Sequence, residues 1–137
     1  MIDPELRADI QRWLRYAGED LETAEEMMRS PTRRPRIICW LSQQAAEKAI
    51  KAALFYVNIE PPRTHSLNRL CLLLPEGWYL KDHAVDLTQM TEWAVETRYP
   101  GEWPEVTEED AEQAVATARD IFNTILQDLK RHGFPTE

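Results

Sequence analysis

The residues best suited to chemistry concentrate in the middle of the chain. Gln44, Lys48 and Lys51 follow one another at steps of four and three, so a helix would place all three on one face. Two ammonium groups and an amide on one face suit the oxygens of a phosphate or a carboxylate. The alternative is a solvated polar stripe in which Glu47 and Lys51 pair at helical spacing.

Two further groups of residues offer contacts to an anion. Arg63 and His65 flank Thr64, which is expected to cap a short helix whose free N–H groups would add positive charge. Arg98 and Tyr99 follow another predicted helix, where a guanidinium and an aromatic ring could meet a phosphate and a base. The structural alternatives are a plain helix cap at Thr64 and a plain helix end at Arg98, with its guanidinium paired to a nearby acid. The predicted ligand-binding residues are Gln44, Lys48, Lys51, Arg63, His65, Arg98 and Tyr99.

The sequence contains no recognisable catalytic or metal-binding motif. None of His65, His83 and His132 has a histidine or cysteine at zinc-ligand spacing, and neither glycine-rich phosphate motif occurs. We therefore predict no catalytic residues, no metal and no cofactor, which favours a protein that is not an enzyme on its own. Cys39 and Cys71 stand among apolar residues, so buried reduced thiols are expected.

Charge is distributed unevenly along this acidic chain. The 137 residues carry a net charge of −8, which argues against a general nucleic-acid binder. Residues 32–70 nevertheless hold seven basic and two acidic residues, a net charge of +5. An anionic ligand is therefore expected at this basic segment.

The residues named above must be positioned by helices, because apolar residues recur at steps of three and four along almost the whole chain. No alternating run is long enough for a strand. The sequence therefore predicts an all-α fold, an up-and-down bundle of about five helices in one domain over residues 1–137. Three helices are long and two short, with predicted bounds of about 4–29, 36–57, 64–74, 81–96 and 107–129.

Local signals mark the helix ends. Asp3 precedes Pro4 and can cap the first helix. Thr107 and Asp110 have the spacing of a capping box at the start of the last helix. The second helix is apolar around most of its circumference, which is typical of a helix at the centre of a bundle or under a partner chain.

Nothing in the sequence indicates a membrane or an export route. No run of about 18 apolar residues, the length that a membrane span requires, occurs. The first ten residues carry Asp3, Glu5 and Asp9 and lack the apolar core of a signal peptide. We therefore expect a cytoplasmic protein without a membrane partner.

Several motifs, in their order along the chain, resemble the HEPN domain family (higher eukaryotes and prokaryotes nucleotide-binding). The order is specific, and the resemblance covers about residues 8–130. The motifs are Trp13-Leu14, Ala17, Asp20-Leu21 and Ala24 in the first helix, then Gln43-Gln44-Ala45-Ala46-Glu47-Lys48-Ala49-Ile50-Lys51-Ala52, then Glu60-Pro61-Pro62-Arg63-Thr64-His65-Ser66-Leu67, then Arg98-Tyr99-Pro100-Gly101 and the helix from Thr107 to Leu129.

This resemblance implies a small prokaryotic helical protein that forms homodimers. It also implies a separate minimal nucleotidyltransferase as partner, in some members as a toxin–antitoxin pair, and nucleotide binding in some members. Many other members are metal-independent RNases with an Arg-x(4–6)-His motif at the dimer interface. Positions 58–60, 76–78 and 125–127, where the three histidines would require that arginine, hold none, so RNase activity is disfavoured.

Three hypotheses of function follow from these observations. The favoured one is a nucleotide- or phosphate-binding accessory domain that acts beside a nucleotidyltransferase. The second is a ligand-free dimerisation or interaction module. The third and least favoured is a residual RNase that uses Arg98 and His65. In the hypothesis of an interaction module, the contact surface would be formed by the second predicted helix and by Trp40, Phe55, Tyr56, Trp93 and Trp103.

Overall fold

The computed structural model describes residues 2–83, 87–96 (side chains as far as residue 92) and 105–135. These residues form helices joined by turns and contain no strand, which confirms the all-α prediction. Three helices are long and three are short. They are α1 (Pro4–Met28), α2 (Pro35–Tyr56), α3 (Leu67–Leu72), α4 (Tyr79–Asp82), α5 (Thr88–Glu96) and α6 (Glu108–Arg131).

Helix α2 lies at the centre of the bundle. It packs against α1 on one side and α6 on another, with smaller contacts to α3 and α5. Its alanines, among them Ala45, Ala49 and Ala52, are fully buried, and their small side chains let the neighbouring helices approach closely. The apolar circumference of α2 is therefore accounted for largely by contacts within the chain.

The ends of the long helices follow the local signals in the sequence. Asp110 N donates to Thr107 Oγ1 at 3.0 Å and Thr107 N donates to Asp110 Oδ2 at 3.0 Å, which confirms the capping box. Asp3 occupies the cap position before Pro4, but its side chain makes no capping hydrogen bond. The start of α1 therefore depends on the fixed backbone of proline more than on the aspartate.

Helix α3 begins later than predicted, because Thr64 does not cap it. Thr64 Oγ1 accepts a hydrogen bond from Ser66 N at 3.1 Å and forms a turn that precedes the helix. Ser66 Oγ then accepts from Arg69 N at 3.2 Å and is the actual cap. Arg63 and His65 consequently lie in a non-helical segment before α3, and the prediction that this helix begins at about residue 64 is wrong.

The predicted helix over 81–96 is two separate elements. Helix α4 ends at Asp82 and α5 begins at Thr88, with residues 84–86 outside the described part. The side chain of Asn68 fixes the start of α5, since its Oδ1 accepts from Leu87 N at 2.9 Å and its Nδ2 donates to Thr88 Oγ1 at 3.0 Å. A distant side chain therefore sets a boundary that helical periodicity cannot predict.

The two cysteines are free and buried, as predicted. Burial raises the pKa of both Cys39 and Cys71 to about 12, so neither thiol forms the reactive thiolate near neutral pH. Within the described residues, no helix combines the length and the apolar character needed to cross a membrane.

Candidate functional site

A buried carboxylate, Glu47, organises the polar residues of α2. Its side chain is 7% exposed and accepts hydrogen bonds from three side chains. Lys51 Nζ donates to Oε2 at 2.8 Å, and Gln43 Nε2 donates to Oε1 at 3.0 Å. His65 Nδ1 lies 2.9 Å from the same Oε1. Together with Gln44, these residues are hereafter the Glu47 cluster.

Gln43 connects α2 to the non-helical segment before α3. Its Nε2 also donates to the backbone oxygen of His65 at 3.3 Å, and its Oε1 accepts from Gln44 Nε2 at 2.8 Å. Gln43 is fully buried, so each of these bonds replaces one that water would otherwise supply. The backbone at residue 65 is thereby held against the central helix.

The donors around Glu47 keep it ionised. Burial alone would raise the pKa of Glu47, but the hydrogen bonds from Lys51, Gln43 and His65, with the nearby Lys51 charge, outweigh burial and hold the pKa below its ordinary value of 4.5. A buried charge is tolerated only when it is paired in this way. Since a carboxylate can only accept, the proton in its bond with the imidazole belongs to His65 Nδ1.

The two lysines of the predicted face already have partners. Lys48 Nζ lies 2.5 Å from Asp20 Oδ2 and joins α2 to α1. Lys51 is bonded within the Glu47 cluster, and its Nζ also lies 5.9 Å from the ring centre of Trp13. That indole stacks on Phe55 at 5.8 Å. The ammonium groups are thus fixed in position, and a carboxylate balances each charge.

Arg63 differs from the lysines. It is exposed, and its side chain has no ion pair or hydrogen bond with another residue in the described ranges. It stands two positions before His65, whose side chain is 54% exposed. Because Lys48 and Lys51 are each paired, Arg63 supplies the unbalanced positive charge next to the Glu47 cluster.

Five of the seven predicted ligand-binding residues fall in one region of the structure. Gln44, Lys51 and His65 belong to the Glu47 cluster, Lys48 lies one helical turn from Gln44, and Arg63 adjoins His65. Arg98 and Tyr99 lie outside the described residues. The ligand-binding role of all seven stays a prediction.

The predicted ligand-binding residues did not include Gln43, Glu47 or Asp20, although the sequence indicated that Glu47 could pair with Lys51. Gln43 and Glu47 share the side of α2 that carries the fully buried Ile50 and Leu54. Two polar residues at helical spacing on an apolar face were the available signal. Asp20 gave no such signal, because its partner is 28 positions away.

No group of three or more histidine, cysteine, aspartate or glutamate side chains within the described ranges is placed to hold a metal ion. The chemistry that this region offers is therefore hydrogen bonding by Gln44 and the imidazole of His65, and charge pairing by Arg63. The two paired lysines add ammonium protons, since each ammonium has three donors and the carboxylate partner uses one.

The fold and this cluster define a class of small all-α bundle whose central helix carries a buried, fully paired glutamate. The family model of the HEPN domain matches residues 10–129, and the chain belongs to the HEPN domain family. A comparison with curated protein sequences gave no significant match.

Solved structures agree with this family. The crystal structure of TT1696 from Thermus thermophilus is similar at a TM-score of 0.74 and 25% identity, over 88% of this chain and 98% of that one. The structure of ST0689, described as an archaeal HEPN homologue, is similar at a TM-score of 0.67 and 30% identity, over 88% of this chain and 97% of that one.

Proposed function

We propose that this HEPN domain protein binds a nucleotide or a related phosphate compound and acts as an accessory to a separate minimal nucleotidyltransferase, in a toxin–antitoxin pair or a similar two-chain system. The observation that carries the binding proposal is the unpaired, exposed side chain of Arg63, which stands two positions before a histidine whose ring is held by a buried carboxylate. The family supports the partnership, and a neighbouring reading frame for a small nucleotidyltransferase is the observation that would strengthen it most. The proposed ligand contacts are Gln44, Lys48, Lys51, Arg63, His65, Arg98 and Tyr99.

Because the two lysines are paired with carboxylates and Arg63 is not, we expect the lysines and Arg63 to contribute differently to phosphate binding. A phosphate placed near Lys48 or Lys51 gains little net attraction, because Asp20 and Glu47 already balance those charges. The lysines can still donate their remaining ammonium protons to phosphate oxygens. Arg63 therefore supplies most of the attraction, and its planar fork suits two phosphate oxygens at once.

Replacing Arg63 with alanine is expected to weaken nucleotide binding about tenfold, the loss of one charge-assisted hydrogen bond. Calorimetric titration with ATP, GTP and their monophosphates measures this change. Arg69→Ala is the matched control, because Arg69 is an exposed arginine of the same basic segment. The absence of binding at millimolar nucleotide, or an equal loss in Arg69→Ala, would contradict the proposed site.

A second candidate function, a homodimerisation module, is favoured by the start of α2. Ile37, Trp40 and Leu41 are only partly buried there, and Trp40 belongs to the aromatic surface that the sequence predicted. Other members of that surface are engaged within the chain. Phe55 stacks on Trp13, and the Tyr56 hydroxyl donates to a backbone oxygen near the end of α6. The Trp93 side chain and Trp103 lie outside the described part.

If a second copy of the chain covers this end of α2, Trp40→Glu is expected to convert a dimer to a monomer, because a buried unpaired carboxylate is costly at an apolar contact. Light scattering after size exclusion gives the mass of both proteins. Leu72→Glu serves as the control, since Leu72 is 65% exposed on α3. A wild-type monomer at all concentrations, or a dimer that Leu72→Glu dissociates instead, would rule out this surface.

A further inference from the structure

We propose that the Glu47–His65 pair makes the site select a ligand group that donates a hydrogen bond, namely a ribose hydroxyl, so that ribonucleotides bind in preference to an analogue that lacks this hydroxyl. The inference rests on the proposed nucleotide binding and adds to it the chemical class of the ligand. It depends on which nitrogen of His65 carries the proton and on what surrounds the other nitrogen.

The tautomer of His65 follows from its partner. Glu47 is ionised, because its donors hold its pKa below the ordinary value of 4.5, and an ionised carboxylate has no proton to give. The 2.9 Å contact to Glu47 Oε1 therefore places a proton on His65 Nδ1. In a neutral imidazole the other nitrogen, Nε2, is then a hydrogen-bond acceptor.

The accepting nitrogen is available to a ligand. The side chain of His65 is 54% exposed, and Nε2 has no hydrogen-bond partner in the described ranges. The backbone oxygen of His65 accepts a hydrogen bond from Gln43 Nε2 at 3.3 Å, so this residue is held both at its backbone and at its ring nitrogen Nδ1. A fixed acceptor on the surface discriminates more strongly than one on a mobile side chain.

The chemistry of an acceptor nitrogen decides what it binds. An unprotonated phosphate oxygen is also an acceptor and makes no hydrogen bond with it, whereas a hydroxyl donates to it. The phosphate is instead suited to Arg63, two positions away, whose Cα lies at most about 7 Å from that of His65. One nucleotide can therefore place its phosphate at Arg63 and its ribose at His65.

An analogue without the contacting hydroxyl leaves Nε2 facing an apolar C–H group. A site that hydrogen-bonds a hydroxyl rejects the analogue that lacks it. Because the ring is half exposed, water compensates in part, and a preference of about tenfold is expected. Glu47 acts here as a positioning residue, since it touches the imidazole and not the ligand.

Titration calorimetry of the full chain tests the preference. The ligands are ATP, 2′-deoxy-ATP and 3′-deoxy-ATP. Wild type should bind ATP about tenfold more tightly than one deoxy analogue. His65→Phe keeps a ring but has no acceptor. This variant should bind ATP only as tightly as wild type binds that analogue. Nitrogen NMR of the imidazole should find the proton on Nδ1 in wild type and a mixture of tautomers in Glu47→Gln.

The outcomes separate this inference from the function beneath it. If none of the nucleotides binds, the proposed function is wrong and the inference is wrong with it. If ATP and both analogues bind equally to wild type, nucleotide binding stands and the hydroxyl preference is wrong. A proton on Nε2 of His65 in wild type would also overturn the inference, whatever the affinities are.

Discussion

Replacing Glu47 with alanine is expected to lower the free energy of unfolding by about 3 kcal/mol, the usual cost of removing one partner from a buried charged pair. The change leaves the ammonium of Lys51 and one N–H of the buried Gln43 amide without their carboxylate acceptor. It also frees His65 Nδ1. Urea denaturation at about pH 7 measures the loss.

Glu47→Gln is the matched control, because glutamine has the same shape and keeps one accepting oxygen. It should cost less than alanine, although its amide hydrogens face at least one of the former donors. A loss below about 0.5 kcal/mol in Glu47→Ala, the range of ordinary surface substitutions, would show that the Glu47 cluster does not stabilise the fold.

The same residue makes stability depend on pH in a defined direction. The pKa of Glu47 is lower in the folded chain than its ordinary value of 4.5, and that value approximates the unfolded state. Its stabilisation is therefore fully present above the unfolded pKa and is lost as pH falls through the folded pKa. The stability difference between wild type and Glu47→Gln should therefore shrink as pH falls below about 4.5.

The long helices could be predicted from the sequence because each buries a face of regular period. The predicted 4–29 and 36–57 compare with Pro4–Met28 and Pro35–Tyr56 in the structure. The shorter elements could not be predicted in the same way. Their ends are set by side chains far away in sequence, as Asn68 sets the start of α5, and no local pattern contains that information.

The candidate site could likewise be predicted from the sequence only in part. The spacing of Gln44, Lys48 and Lys51 predicts a shared face, and the pairing of Glu47 with Lys51 at helical spacing is present. The alternative interpretation of the sequence placed Glu47 and Lys51 on a solvated helix face, whereas the side chain of Glu47 is buried in the structure. The difference arises because the segment before α3 folds over α2 and brings in His65 from 18 positions away. A contact of this kind depends on tertiary packing.

A second buried carboxylate, Asp128, holds α4 against the end of α6. Its side chain is 1% exposed and accepts from Tyr79 N at 3.2 Å and from Leu80 N at 3.4 Å. These are free N–H groups of the first turn of α4, where a negative charge is favourable. Arg131 pairs with the same carboxylate and donates to Gly77 O at 3.1 Å. Asp128 thus connects α6 to the first turn of α4, and its partner Arg131 connects α6 to Gly77 in the turn before α4.

Replacing Asp128 with alanine is therefore expected to lower the free energy of unfolding by about 3 kcal/mol, since one buried and one partly buried N–H group lose a charged acceptor. Hydrogen exchange should show faster exchange at Tyr79 and Leu80 than the global loss alone explains, because α4 separates from α6 before the bundle unfolds. Asp128→Asn keeps an accepting oxygen and should cost less. Asp120→Ala, an exposed aspartate on the same helix, should change stability by less than about 0.5 kcal/mol. Unchanged protection at Tyr79 and Leu80 in Asp128→Ala would mean that the aspartate does not anchor α4, and that other contacts hold it, such as the burial of Leu80 and of Trp78, which stacks at 4.6 Å on His132.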